Sequence, residues 1–201
     1  MNKAAFLDRD GVINQRPAGR YITRWEEIRL LPGVIDAIAL LKRAGFRVIV
    51  VSNQRCVAKG LVTTATLEAM HWRMCESLAS AGAKIDAVYY CPHEEYPPCG
   101  CRKPQPGMLL EAARANSIDL TESWMIGDSE SDVEAGRRAG CKTVRLIASG
   151  EAEAMKPPVA GSIKVFAMKS AVACARVNHS RSPVERCRAS SALAISTLSA
   201  R

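Results

Sequence analysis

Short apolar runs rich in β-branched residues alternate along the chain with segments of helical periodicity, the pattern of a parallel sheet covered by helices on both faces. The runs predict strands over residues 4–7, 46–51, 87–90, 124–126 and 143–146. Between them, residues 33–44 place Val34, Ile38 and Leu41 on one helical face and stop at Gly45, and residues 64–81 stop at Gly82. The segment 106–115 opens on a proline, which a first helical turn tolerates, and 129–139 stops at Gly140. The expected fold class is α/β, a Rossmann-like parallel sheet with helices on both faces. After about Ile147 the pattern decays through Pro157, Pro158 and Gly161, with one edge strand expected at 164–167. The expected organisation is one domain over 1–167 and a basic, Ala/Ser/Arg-rich, poorly ordered tail over 168–201.

Polar residues fall where such a fold binds ligands. Asp8 and Asp10 follow the first strand, Ser52 and Asn53 the second, and Asp128 the fourth. Groups beyond the carboxyl ends of parallel strands converge although they are distant in sequence. In FLDRDGVIN, alternation along an extended segment puts Asp8 and Asp10 on the same side, one suited to act as nucleophile and the other as proton carrier. Alone, the run also reads as an exposed acidic turn. With Ser52, Lys103, Asp128 and Asp132 it supplies the parts of a phosphoryl-transfer site, where anionic oxygens must be positioned and neutralised. Asp8 and Asp128 are hard oxygen ligands, which makes Mg²⁺ the expected metal. The plainer readings are a helix N-cap for Asp128 and a first-turn acid for Asp132.

Eight cysteines raise the question of disulfides, but Cys91, His93, Cys99 and Cys101 form C-x-H-x₅-C-x-C, leading directly into Arg102 and Lys103. Three thiolates and an imidazole close a tetrahedral site, so the expectation is a structural Zn²⁺. It would pin a loop that contains Pro92, Pro97 and Pro98. The other five cysteines read as incidental thiols.

The hydrophobic share of 48% and charged share of 24% are those of a soluble globular protein, and no apolar run is long enough to span a bilayer. The start, MNKAAFLDRDGV, lacks the apolar stretch of a secretory signal, so a cytoplasmic location is expected. The net charge of +8 is uneven: residues 168–201 carry +5 of it, leaving +3 for the rest. A mildly basic body suits a small phosphorylated substrate as well as a polymer, and the aromatic spacing of a single-strand platform is missing, which argues against nucleic acid. A monomer is the default expectation.

Taken together, LDRDG, SNQ, RKP and GDSESD resemble, in order, the four motifs of the haloacid dehalogenase superfamily of phosphatases, with the likeness spanning Ala4 to about Ile147. The resemblance implies that Asp8 is the nucleophile, forming an aspartyl-phosphate. Asp10 then protonates the leaving oxygen and activates water, its carbonyl also binding Mg²⁺ beside Asp8 and Asp128, while Ser52 and Lys103 hold phosphoryl oxygens. The zinc loop is similar to that of the D,D-heptose 1,7-bisphosphate 7-phosphatases and of the histidinol-phosphate phosphatases. The longer runs RYITRWEEIRLLPG and CRKPQPGM look more like the heptose enzymes. That likeness implies removal of the 7-phosphate and substrate contacts from Arg102 and from the loop 15–21 with Arg16, Arg20 and Tyr21. Asn53, Gln54, Arg55 and Ser129 complete the expected substrate-binding set. Short connections between motifs leave room for only a minimal cap. The run Arg55-Cys56-Val57-Ala58-Lys59-Gly60 departs from the family's small, glycine-containing stretch, and Ser129 stands where a lysine is usual. The alternatives are histidinol phosphate as substrate and, in another class, a non-catalytic zinc-stabilised module that binds polyanions through the basic tail.

Overall fold

A computed structural model describes residues 1–147 together with the backbone of 163–164. In chain order it comprises β1 (Lys3–Leu7), α1 (Val34–Arg43), β2 (Phe46–Asn53), α2 (Thr64–Ser80), β3 (Ala87–Cys91) and α3 (Gly107–Asn116). These are followed by β4 (Trp124–Gly127), α4 (Glu130–Ala139), β5 (Lys142–Arg145) and β6 (Ile163–Lys164). The sheet is parallel throughout, in the order β3-β2-β1-β4-β5-β6. The expected edge strand thus begins one residue earlier, at Ile163; residues 165–167 and the expected tail 168–201 lie outside the described residues.

Strand alternation divides the core. On one face Ala5, Leu7, Val48 and Val50 pack against Val34, Ile38 and Leu41 of α1 and Met74 and Leu78 of α2. On the other, Ala4, Phe6, Ile49 and Val51 meet Met108, Leu109 and Ala112 of α3 and Ala135 and Ala139 of α4. The predicted two-faced cover is therefore present, and the strands read as continuous apolar runs because both faces are buried. A third cluster, Ile22, Ile28, Cys56, Val62, Leu67 and Met70, anchors the β1–α1 connection onto the start of α2. No helix among the described residues is long and apolar enough to cross a membrane.

Strand order reverses between β1 and β4, which are hydrogen-bonded neighbours although α1, β2, α2, β3 and α3 separate them in the chain. A crevice forms at such a switch point, outside the carboxyl ends of the two strands. Asp8 and Asp128 stand one residue beyond those ends.

Candidate active site

Asp8 is buried at the end of β1, with 5% of its surface exposed. Its Oδ1 accepts from the Arg9 backbone N–H at 2.7 Å and faces Lys103 Nζ at 2.9 Å. Lys103, also buried, reaches Asp132 Oδ1 at 2.6 Å and donates to the Val51 carbonyl at 2.8 Å. One ammonium is thus shared by two carboxylates and a strand-end carbonyl. Burial alone would depress the Lys103 pKa, but Asp8 and Asp132 outweigh it and raise it, so the lysine stays charged. Burial raises the Asp8 pKa, opposed by Lys103 and reinforced by Asp132.

Asp132 satisfies both readings open to it. Its Oδ2 accepts from the Ser129 N–H at 3.0 Å and from the Ser129 hydroxyl at 2.6 Å, closing a capping box at the start of α4, while its other oxygen meets Lys103. Ser129, not Asp128, is the N-cap. This places Asp128 one residue outside the helix and free to face the crevice. Two glycines permit the approach. A Cβ on Gly127 would lie 2.1 Å from that of Asp132, and one on Gly11, whose φ is +92°, would lie 1.9 Å from Asp128 Oδ2.

Asp10 is held differently. Arg9 grips it with Nη2 at 2.9 Å from Oδ2, Asn14 Nδ2 donates to Oδ1 at 2.8 Å, and Gln54 Nε2 donates to Oδ2 at 3.2 Å. Burial pushes its pKa up, but these partners together bring it below the usual carboxylate range. Gln54 also donates to Ser52 Oγ at 2.7 Å, tying the second motif to the first. Behind this group Arg9, fully buried, pairs Nη1 with His71 Nε2 at 3.1 Å. Burial and then Arg9 depress the His71 pKa to about 3, so the ring is neutral and accepts the bond.

Around these residues lies a cavity of about 420 Å³, walled by Asp8, Asp10, Ser52, Asn53, Gln54, Lys103 and Ser129 and by Arg16, Arg20 and Tyr21 of the β1–α1 connection. Most of the expected set therefore converges. Asn53 braces the lysine by exchanging hydrogen bonds with both backbone groups of Lys103, each at 3.0 Å. Arg20 is paired with Glu27 at 3.3 Å. Arg55 turns away from the cavity to Glu94 and, at 3.1 Å, to Glu95. Arg102 opens onto an adjoining hollow and pairs with the same Glu95 at 3.2 Å. Arg16 Nη2 sits over the carboxylates, 2.6 Å from Asp128 Oδ1, 3.3 Å from the Asp10 carbonyl and 3.8 Å from Asp8 Oδ2. Burial raises the Asp128 pKa to about 6, opposed by Arg16 and reinforced by Asp8 and Asp132.

Among the described residues two groups of side chains bring their ligand atoms within 4.8 Å of one another, close enough to share a metal ion: Asp8, Asp128 and Asp132, and Cys91, His93, Cys99 and Cys101. In the second, Sγ and Nδ1 atoms are 3.2 to 3.6 Å apart along five of the six edges. Four ligands at zinc–sulfur distances span edges of about 3.8 Å around one tetrahedral ion, so the cluster has the right size. Burial pushes the Cys99 thiol up, but the Arg102 N–H and the Cys101 and Cys91 thiols bring it down to about 6. One member is thus inclined to the thiolate form, while burial pushes the Cys91 and Cys101 thiols up, the latter to about 12.

Arg9, Asn14 and His71 were not among the expected site residues. The first two lie inside FLDRDGVIN, where strand alternation turns attention to the flanking aspartates and makes Arg9 look like an outward-facing charge. His71 carries no local signal, because only the packing of α2 beneath the site brings it to Arg9.

The HAD-hydrolase-like family model matches residues 100–162. Two curated relatives are called D-glycero-beta-D-manno-heptose-1,7-bisphosphate 7-phosphatase. That of Pseudomonas putida is 44% identical over 75% of this chain and 85% of its own, and that of Pseudomonas aeruginosa 39% identical over 85% and 95%. Among solved structures, the D,D-heptose 1,7-bisphosphate phosphatase of B. bronchiseptica, complexed with magnesium and phosphate, superposes with a TM-score of 0.77 at 35% identity. The match covers 86% of this chain and 97% of that one.

Proposed function

The chain belongs to the D-glycero-beta-D-manno-heptose-1,7-bisphosphate 7-phosphatase family of HAD-like hydrolases, and from that membership we propose how its site works. The protein is a magnesium-dependent phosphoric monoester hydrolase acting on the 7-phosphate of the heptose bisphosphate. We propose the β anomer as its substrate, supported by the names its relatives carry. The observation that carries the mechanism is a pair of carboxylates two residues apart, each held by its own cation in the wall of one cavity: Asp8 by Lys103, Asp10 by Arg9 with Asn14 and Gln54.

The donor set fits Mg²⁺, since Asp8 and Asp128 offer hard oxygens within 4.8 Å of one another and the Asp10 carbonyl faces the same point. When bound, Mg²⁺ neutralises phosphoryl oxygens and so lowers the repulsion met by an anionic nucleophile. The remaining roles fall to the protein. The Asp8 carboxylate attacks phosphorus as the bond from phosphorus to the sugar 7-oxygen breaks, and Asp10 gives that oxygen its proton. Negative charge arriving with the phosphate opposes Arg9 and raises the proton affinity of Asp10, which suits it to enter as the acid. As a carboxylate, Asp10 next takes a proton from water; the water oxygen attacks phosphorus, the bond to Asp8 breaks, and inorganic phosphate leaves. The Lys103 ammonium and the Ser52 hydroxyl hold the transferring oxygens. The Cys91, His93, Cys99 and Cys101 cluster holds a structural Zn²⁺, which fixes the loop presenting Arg102 and Lys103.

Asp8→Asn tests the covalent step. It is expected to abolish phosphate release from the β-heptose bisphosphate with Mg²⁺ while leaving circular dichroism unchanged; near-normal turnover would overturn the role of Asp8. Preference of the unaltered protein for histidinol phosphate would overturn the sugar assignment.

A further inference from the structure

The charges at the centre of the site pair unevenly. Asp10 is matched by Arg9, and Asp8 and Asp132 share Lys103. Asp128 is left to Arg16, whose Nη2 lies 2.6 Å from it. That same nitrogen is 3.3 Å from the Asp10 carbonyl and 3.8 Å from Asp8 Oδ2. Three oxygens, two from carboxylates and one from a backbone carbonyl, thus converge on a single cationic nitrogen, and they are the three assigned above to Mg²⁺.

Arg16 differs from the other two cations in how it is held. Arg9 and Lys103 are buried, whereas the Arg16 side chain is 52% exposed and enters from the connection that walls the cavity. A long side chain at a cavity mouth can leave by rotation about its own bonds, with no rearrangement of the core. The carboxylates it touches cannot leave, since Asp8 is fixed by β1 and Asp128 by its place between β4 and the α4 cap.

We propose that Arg16 is a stand-in for the metal: its guanidinium holds the Asp8, Asp10 and Asp128 oxygens together before Mg²⁺ enters, competes with Mg²⁺ for them, and once displaced turns to the phosphate in the same cavity. The proposal rests on the Mg²⁺ assignment made above. The competition is between one positive charge with directional donors and a compact double charge that six oxygens can surround. The ion prevails at sufficient concentration, but its apparent affinity is reduced by the cation it must displace. Displaced, Arg16 remains beside a cavity that now receives an anion, and a guanidinium there has a phosphate to bind. Metal loading and substrate binding are thereby linked through one side chain.

The test is calorimetric titration of Mg²⁺ into phosphate-free protein at fixed pH and ionic strength, comparing unaltered protein, Arg16→Gln and Arg43→Ala. Arg43, the last residue of α1, removes the same charge at the opposite end of the sheet. Arg16→Gln is expected to bind Mg²⁺ about fivefold more tightly, the equivalent of one partly exposed ion pair, while Arg43→Ala is unchanged. With Mg²⁺ saturating, inorganic phosphate should inhibit Arg16→Gln less strongly than the unaltered protein. Equal or weaker Mg²⁺ affinity in Arg16→Gln would overturn the competition, and unchanged phosphate inhibition would overturn the turn toward phosphate. A matching gain in Arg43→Ala would reduce the effect to net charge and overturn it likewise. Absence of Mg²⁺ binding in all three proteins would overturn the metal assignment, and the role of Arg16 with it.

Discussion

At the scale of single residues, the proposed catalytic pair is legible but its supports are not. Asp8 and Asp10 stand out in company, because alone the run also reads as an exposed acidic turn and only Ser52, Lys103 and Asp128 farther along the chain complete a phosphoryl-transfer set. The Arg9 between them enters a buried network with His71, which no spacing rule would suggest. That network has a measurable signature. The unfolded His71 protonates near its ordinary value of 6.5, whereas the folded one resists protonation until about pH 3. Over that interval the unfolded state binds the additional proton, so this residue's contribution to stability is present above pH 6.5 and is lost as pH falls, by up to about 1.4 kcal/mol per unit. His71→Phe is expected to be less stable at pH 7, because Arg9 loses an acceptor, yet to show a flatter dependence between pH 4 and 6.5 in urea denaturation. Gly11 permits a second check. Gly11→Ala would strain a left-handed backbone and press a methyl against Asp128, so kcat/KM should fall about a hundredfold, read by steady-state phosphate release.

At the scale of elements, the periodic pattern located the four α-helices of the described residues to within one residue at either end, because glycines stop α1, α2 and α4 while Ser129 starts α4 and Thr63 starts α2, but it missed the short 3-10 helix Trp25–Glu27. What the pattern could not convey is which elements touch, and Arg55 and Arg102 illustrate the cost. Both were expected against substrate, yet both turn to Glu95 of the cysteine-bearing loop, a pairing set by the route of that loop over the end of β2. The same loop connects the metal cluster to the lysine of the site within two residues, from Cys101 to Lys103. Cys99→Ser is therefore expected to lower bound zinc to well below one ion per chain by elemental analysis. It should also lower kcat, since the loop that presents Lys103 loses one of its anchors while Asn53 still braces the lysine. Undiminished zinc would remove the cluster as its site.

At the scale of the whole molecule, the reversal of strand order governs both what can be read and what can work. A parallel sheet was legible from apolar runs; its order was not, because each strand's neighbours are chosen by crossovers that leave no mark in the runs themselves. Convergence at the strand ends was nonetheless a sound expectation, since all orders of this class send ligands to that edge. The junction of β1 with β4 has one more consequence. The Ala4 N–H donates to Ser123 Oγ across a separation of 119 residues, and Asp8 meets Asp128 over a similar stretch. A nascent chain therefore lacks part of this centre: until β4 emerges and docks, Asp8 is without Asp128, the carboxylate proposed to share its metal ion. Hydrolysis of phosphate is thus a certificate of assembly, expected only of chains that have joined β1 to β4.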